Sequence, residues 1–308
     1  MRRRVVTPFA PLEWLLILLL AAAAQAQQDT WKGVERIVAV GDVHGDFGQF
    51  VKALRAAGVV DDRNDWAAGK THLVQLGDVL DRGPDSRRAM DLLMKLEAQA
   101  AKAGGAVHAL LGNHEAMVLA GAWFYLHPGE IQAFGTAADF RQAMSAEGAY
   151  GQWLRRHNAV IQINDTLFAH AGLLPLWAKP SLRQINDAVR RELGQEEEGG
   201  LTLSYTGPLW TRFLALGDEE EVAAALDEVF AKYGAKRMVI GHTVAREGVL
   251  VRAGGRLVRV DVGMSEYYGG PAACLVIEKG DLYEARHPDL KRKLDVDRAA
   301  PAEAKKAG

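Results

Sequence analysis

The chain has 308 residues, near half of them apolar, with 37 basic against 39 acidic side chains. That length and apolar content allow a large α/β core, and the balanced charge excludes recruitment of nucleic acid or an acidic surface by net charge. Cys274 is the one cysteine, which excludes an internal disulfide framework and a cysteine-based zinc cluster.

Residues 1–26 read as a signal peptide. Arg2-Arg3-Arg4 is a basic start, Leu12 to Ala24 is apolar, and Ala24-Gln25-Ala26 is an A-x-A cleavage site. The apolar stretch falls short of the ~20 residues that cross a bilayer, although an uncleaved anchor is the competing reading. No cysteine follows the stretch, so lipid anchoring is not supported. Cleavage removes three arginines and one glutamate, and the net charge moves from −2 to −4. The expectation is an exported protein, periplasmic or secreted, starting near Gln27 and without a stable membrane anchor.

From Val34 onward the pattern is strand, loop, helix. Arg36 to Val40 is a short apolar run. It is followed by a helical segment, Asp46 to Ala57, with Phe47, Phe50, Val51 and Leu54 at helical spacing. Thr71 to Leu76 is the second buried strand, and Asp85 to Ala103 the second helix, with Met90, Leu93, Met94 and Leu96 as its apolar stripe and Gly104-Gly105 as its stop. Ala106 to Leu111 is the third strand. This alternation predicts βαβ units and a largely parallel sheet. Residues 116–158 break the rhythm and read as an inserted helical cap. The stretch contains Trp153, and Trp123, Phe124 and Tyr125 are expected to pack within it rather than to form a substrate platform.

Ala159 to Ile163 and Thr166 to Ala169 read as a strand pair joined by Asn164-Asp165. Ser181 to Leu193 and Asp218 to Tyr233 are further helices. Between them, residues 194–200, with three glutamates in a row, read as a solvated loop. Arg237 to Ile240 is another strand, and residues 248–277 read as short antiparallel strands separated by Gly254-Gly255 and Gly269-Gly270-Pro271. The domain is expected to span residues 34–285, and the charged, Ala/Pro-rich residues 286–308 to form a disordered tail.

One grammar recurs: an apolar strand, a glycine, then a polar cluster. It places Asp42 and His44, then Asp78, Asp81 and Arg82, then Asn113 and His114, then His170, and finally His242 just past strand ends. Open α/β sheets collect their ligands there. Asp42, His44, Asp78, Asn113, His170 and His242 give six donors of mixed carboxylate, amide and imidazole type. Such sets suit Mn, Fe or Zn better than Ca or Mg. Two cations ~3.5–4 Å apart can acidify a water and neutralise charge on a phosphoryl group. Asp78 is the natural bridge between them.

Taken singly, these residues have plain readings. An Asp-x-His after a strand is usually a turn with a capping Asp, and His170 or His242 alone would be a satisfied core or surface histidine. Asp81 could cap a helix or pair with Arg82, and Arg212 could pair with an acidic neighbour. Glu115 suits the positive end of the helix after its motif. His72, His108, His127, His157 and His287 receive no role, and Cys274 reads as buried filler.

Taken together, Gly41-Asp42-Val43-His44-Gly45, Gly77-Asp78-Val79-Leu80-Asp81-Arg82-Gly83 and Gly112-Asn113-His114-Glu115 resemble the calcineurin-like metallophosphoesterases, specifically PPP-type phosphatases. Leu110-Leu111 before Gly112, residues 207–212 (GPLWTR), Gly241-His242-Thr243 and residues 261–265 (DVGMS) resemble the Shewanella-like, bacterial-origin branch. The resemblance implies a four-layer α/β/β/α sandwich with a helical insert. It also implies a phosphomonoesterase with two divalent metal ions, acting by in-line attack of a metal-bridging hydroxide without a phosphoenzyme. Asp42, His44 and Asp78 would hold one ion, and Asp78, Asn113, His170 and His242 the other. His114 would protonate the leaving oxygen, oriented by Asp81, while Arg82 and Arg212 grip phosphate oxygens. Ala171, where the family usually has a second glycine, should cause crowding at most.

The branch resemblance points to phosphotyrosine, in a phosphorylated protein or peptide, or to another small phosphomonoester. A nucleotide or dinucleoside polyphosphate hydrolase is the rival that keeps the chemistry. A non-catalytic, metal-stabilised envelope binding protein is the rival from another class, and it predicts damage at His114, Asp81 or the ligands that the sequence does not contain.

Overall fold

In the computed structural model, which describes residues 28–193, 200–288 and 290–296, the expected alternation is realised. After a short strand β1 (Thr30–Trp31), the first three apolar runs are β2 (Arg36–Val40), β3 (His72–Gln75) and β4 (Ala106–Ala109). They pair in parallel, Ile37 opposite His72 and His72 opposite Ala106, because helices α1 (Phe47–Ala56) and α2 (Ser86–Ala103) carry the chain back between them. Asp46 starts α1 by accepting the Gln49 N–H at 2.9 Å. Gly104, at φ 78°, ends α2 in the left-handed conformation that a side chain would disfavour. Phe50 and Leu54 of α1 and Met90, Leu93 and Leu96 of α2 are fully buried. Truncating such a phenylalanine to alanine costs ~3–5 kcal/mol.

The middle of the chain is helical, as expected: α3 (Asn113–Leu119), α4 (Pro128–Phe134), α5 (Ala137–Met144) and α6 (Ala149–Arg155). Phe140 is buried between Trp123 and Phe134, each 5.3 Å away in edge-to-face contact. This insert is pinned to α2 by Tyr150, which donates to Asp91 at 2.6 Å, and by Trp153, whose Nε1 donates to Glu97 at 3.0 Å. Its loops reach the rim described below.

The second half builds another sheet from β5 (Val160–Ile163), β6 (Thr166–Ala169), β7 (Arg237–Ile240), β8 (Leu250–Arg252) and β9 (Leu257–Arg259). Helices α7 (Leu182–Glu192), α8 (Phe213–Leu216) and α9 (Glu219–Tyr233) lie between β6 and β7 in the chain. β5 and β6 form the expected hairpin, with Asn164 at φ 57° in its two-residue turn. The order in this sheet is β1-β5-β6-β7-β9-β8. The other sheet is completed by β10 (Ala273–Glu278), β11 (Asp281–Arg286) and β12 (Leu290–Lys293), in the order β12-β11-β10-β2-β3-β4. Val38, Ala39, Val40, Leu167, Phe168 and Val239 are fully buried. Strands covered on both faces place helices outside each sheet and the other sheet inside, which is the four-layer sandwich.

Two expectations are corrected. Residues 248–277 are not one antiparallel set, since β9 pairs in parallel with β7 and β10 crosses to the other sheet. The tail does not begin at 286. β12 extends the sheet, and its Lys291, Arg292 and Lys293 pair with Glu278, Glu284 and Asp281. A basic edge strand beside acidic partners looks like a solvated tail when only composition is read. The signal segment, the triple-glutamate loop and residues 297–308 lie outside the described residues. No helix among the described residues is long and apolar enough to cross a membrane.

Candidate metal centre

The parallel strands of the two sheets end at one rim, where backbone bonds tie neighbouring ends together. The Leu76 N–H donates to Val40 O at 3.0 Å, Gly241 N–H to His170 O at 2.7 Å, and Val260 N–H to Ile240 O at 2.8 Å. The chain must turn sharply there. His44, Asp78, Asp81, Arg82 and His242 all take the left-handed backbone conformation, with φ between 46° and 70°. Non-glycine residues adopt it rarely, and it concentrates at functional sites where surrounding contacts enforce it. The recurrent glycine has a local reason too. A methyl group on Gly112 would stand 2.1 Å from Asp78 Oδ1, and one on Gly241 would stand 2.6 Å from Asp42 Oδ1.

All six sequence-predicted ligands meet at this rim, buried. Asp78 is at the centre: its Oδ2 lies 3.7 Å from His44 Nε2, 3.8 Å from His114 Nε2 and 3.4 Å from His170 Nε2. Asp42 Oδ2 is 3.9 Å from His44 Nε2, and Asn113 Oδ1 is 2.9 Å from His170 Nε2. Donor atoms of His44, Asp78 and His114 lie within 4.8 Å of one another, and so do those of Asp78, His170 and His242. His44 and His242 are therefore on the same rim, both facing Asp78.

The imidazoles are oriented as cation ligands require. His44 Nδ1 donates to Leu80 O at 3.1 Å and His170 Nδ1 to Leu76 O at 2.8 Å, which leaves each Nε2 toward Asp78. His242 is turned the other way: Nε2 donates to Trp210 O at 3.1 Å, leaving Nδ1. A backbone carbonyl on the far nitrogen fixes the tautomer of a metal-binding histidine. Burial pushes His44 down to about 4 and His242 down to about 3, so both are neutral at neutral pH, the form that binds a cation.

The carboxylates make the same case. Burial, followed by the charges of Asp261 and Asp78, pushes Asp42 well above the usual carboxylate range. Burial lifts Asp261 to about 6. Burial also works to raise Asp78, but His170, His114 and His44 outweigh it and hold this group well below its ordinary value. Carboxylates crowded in a buried rim need positive charge between them. The set of carboxylate, amide oxygen and imidazole fits divalent first-row metals.

Beside this cluster stands a second arrangement. His114 Nδ1 bonds Asp81 Oδ2 at 2.5 Å, leaving Nε2 toward Asp78. Burial opposes a charged His114, yet Asp78 and Asp81 outweigh it and raise its pKa. Arg82 lies across the Tyr125 ring at 4.0 Å and the Tyr267 ring at 4.9 Å, with Nη1 donating to Tyr267 Oη at 3.2 Å. Arg212 Nη1 donates to His242 O and Thr243 Oγ1, both at 3.0 Å. This arginine thus sits at the rim and braces the His242 turn. Ala171 is buried and its N–H donates to Pro208 O at 2.9 Å, while His170 keeps its place.

Some readings shift. Trp123 packs in the insert as expected, but Phe124 is 84 % exposed and Tyr125 reaches the site, 5.2 Å from the His114 ring. Glu115 does more than cap α3. Beyond the Gly112 N–H at 2.8 Å, it accepts those of Asp78 at 2.7 Å, Val79 at 2.8 Å and Leu80 at 3.2 Å. Asp261, after β9, is buried beside Asp42. Its sequence signal is the same strand-then-Asp pattern, here with the glycine after the acid rather than before it. His72 and His108 bond each other at 3.0 Å under Trp31, at the core edge as expected, and Cys274 is buried.

Residues 35–246 match the family model for calcineurin-like phosphoesterases. The chain is 28 % identical to Shewanella-like protein phosphatase 2 of Arabidopsis thaliana over 78 % of its length and 74 % of that protein. It is 32 % identical to Shewanella-like protein phosphatase 1 of Plasmodium berghei, over 69 % of this chain and 62 % of that protein. Among solved structures, the cold-active protein-tyrosine phosphatase of a psychrophilic Shewanella superposes with a TM-score of 0.80 at 28 % identity, over 88 % of this chain and 84 % of that one. Fold, rim and relatives agree: this chain belongs to the calcineurin-like phosphoesterase family, in its Shewanella-like protein phosphatase branch, and is a metal-dependent phosphatase.

Proposed function

We propose that the chain is an exported phosphomonoesterase that removes phosphate from phosphotyrosine in proteins or peptides. The observation that carries the chemistry is the place of Asp78, shared by two donor groups that each contain imidazoles. On this reading Asp42, His44 and Asp78 hold one divalent cation, and Asp78, Asn113, His170 and His242 hold a second, with Mn, Fe or Zn as the candidates. When bound, such a pair supplies Lewis acidity toward the phosphoryl oxygens and lowers the pKa of water.

The chain's own residues do the rest. His114 stands next to the donors with Nδ1 held by Asp81, and its Nε2 proton is placed for the leaving oxygen. Arg82, flattened between Tyr125 and Tyr267, presents a planar fork suited to phosphate oxygens. Arg212, which also braces His242, would add a second guanidinium fork for phosphate oxygens. The exposed rings of Tyr125 and Tyr267, on either side of Arg82 at this rim, suit an aryl leaving group. Support for tyrosine over other phosphomonoesters comes from the likeness to the Shewanella protein-tyrosine phosphatase. Support for export comes from the basic start, apolar stretch and A-x-A site of residues 1–26.

The test is metal analysis of protein purified from the exported fraction, paired with initial rates on phosphotyrosine peptide, phosphoserine peptide and diadenosine tetraphosphate. Fastest turnover on the phosphotyrosine peptide, with divalent metal present, is expected. Preference for the dinucleotide would replace the substrate assignment.

A further inference from the structure

The helical insert places one buried carboxyl against the loop that carries Asp81. Glu130, in the first turn of α4, is fully buried, and its Oε1 accepts the Asp81 N–H at 3.3 Å. Glu130 Oε2 and Asp81 Oδ1 are buried too, and neither meets a hydrogen-bond partner among the described residues. The next residue is held from the same side, since the Arg82 N–H donates to Tyr125 O at 3.0 Å. Asp81 and Arg82 sit at φ 69° and 70°. Such a pair of left-handed, non-glycine residues persists only where neighbours over-determine it. Here two bonds from the insert do so.

The plain reading is that Glu130 complements the positive end of its own helix. That reading does not account for an acid with zero exposure whose side chain bonds the backbone of a residue 49 positions away.

We infer that Glu130 is a positioning residue: it holds Asp81 and, through Asp81, aims the His114 imidazole, while Arg82 is held separately by Tyr125. This rests on His114 and Asp81 acting as the general-acid pair. Burial, helped by the charge of Asp81, lifts the Glu130 carboxyl to about 8, although Ser86 pulls the other way. At neutral pH it therefore carries a proton. A neutral carboxyl can accept with one oxygen and donate with the other, and here Oε1 accepts the Asp81 N–H.

The test uses leaving groups. A general acid matters most when the leaving oxygen is a poor one, so phenyl phosphate reads the His114–Asp81 pair more strongly than 4-nitrophenyl phosphate. Glu130→Ala is expected to lower kcat about tenfold on phenyl phosphate and about twofold on 4-nitrophenyl phosphate, with KM and bound metal unchanged. Glu130→Gln keeps an acceptor and a donor and should restore most of the loss. In an Asp81→Asn background, Glu130→Ala should change neither rate further. Equal losses on both substrates, or a loss that persists in that background, would overturn the proposal. Should Glu130→Ala fail to fold, Glu130→Asp reads the same contrast. His114→Asn is the control. Leaving-group dependence there, with none in the Glu130 variants, rejects the role of Glu130 alone. Its absence from His114→Asn rejects the general-acid reading and this proposal with it.

Discussion

Glu115 accepts the Asp78 N–H at 2.7 Å, and with its other oxygen it holds Val79 at 2.8 Å and Leu80 at 3.2 Å. One buried carboxylate thus fixes the strand-end turn that presents Asp78, while closing the start of α3 through Gly112. Glu115→Ala leaves four backbone N–H groups without this acceptor. We expect a loss of ~3 kcal/mol or more in denaturant unfolding. Metal affinity should fall as well, read by titration calorimetry, because Asp78 loses its support.

Gly112 packs directly against Asp78 itself. A methyl group there would stand 2.1 Å from Asp78 Oδ1 and 2.4 Å from Asp78 N, too close for either to stay. Gly112→Ala should keep most of its helical circular dichroism yet lose bound metal, with turnover down at least ~100-fold. Normal metal content in this variant would show that the turn tolerates displacement.

Two roles are open to Arg212, and kinetics separate them. As a brace, its Nη1 holds His242 O and Thr243 Oγ1. As a phosphate ligand, its remaining donors act on substrate. Arg212→Lys should raise KM about tenfold with metal content unchanged, because a lysine cannot form the planar fork. Loss of metal with unchanged KM would leave only the brace.

Glu97 links stability to pH from outside the site. Burial raises it from 4.5 to about 7, against the opposing bonds from Trp153. The folded state therefore holds this proton more tightly than the unfolded chain does. The contribution is fully present below pH 4.5, and it is lost as pH rises through about 7. Between pH 5 and 8, Glu97→Gln should lose less unfolding free energy than wild type, by at most ~3 kcal/mol. Parallel stability curves for the two proteins would refute this.

The residues that meet at the rim were legible because each follows an apolar run, and all but His170 also follow a glycine. Strand β1 and the parallel pairing of β9 were not legible, since two- and three-residue strands carry too little periodicity to register. The basic strand β12 was hidden because its backbone pairs with β11 and its cations face glutamate and aspartate on β10 and β11, none of which a local window contains. Glu115 was read only as an acid at a helix start, and Glu130 drew no reading. Their bonds to the 78–81 turn run through tertiary packing, which no local window contains. Tyr125 was grouped with Trp123 and Phe124 as packing, whereas a turn from Trp123 to Leu126 carries it to the rim.

The central claim is that Asp78 is shared by two cations. Anomalous diffraction from crystals of the manganese-loaded protein tests it directly. We expect two peaks on either side of Asp78 Oδ2, one toward His44 and one toward His170 and His242, and neither in Asp78→Asn. A single peak remote from Asp78, or two peaks that survive Asp78→Asn, would contradict the account.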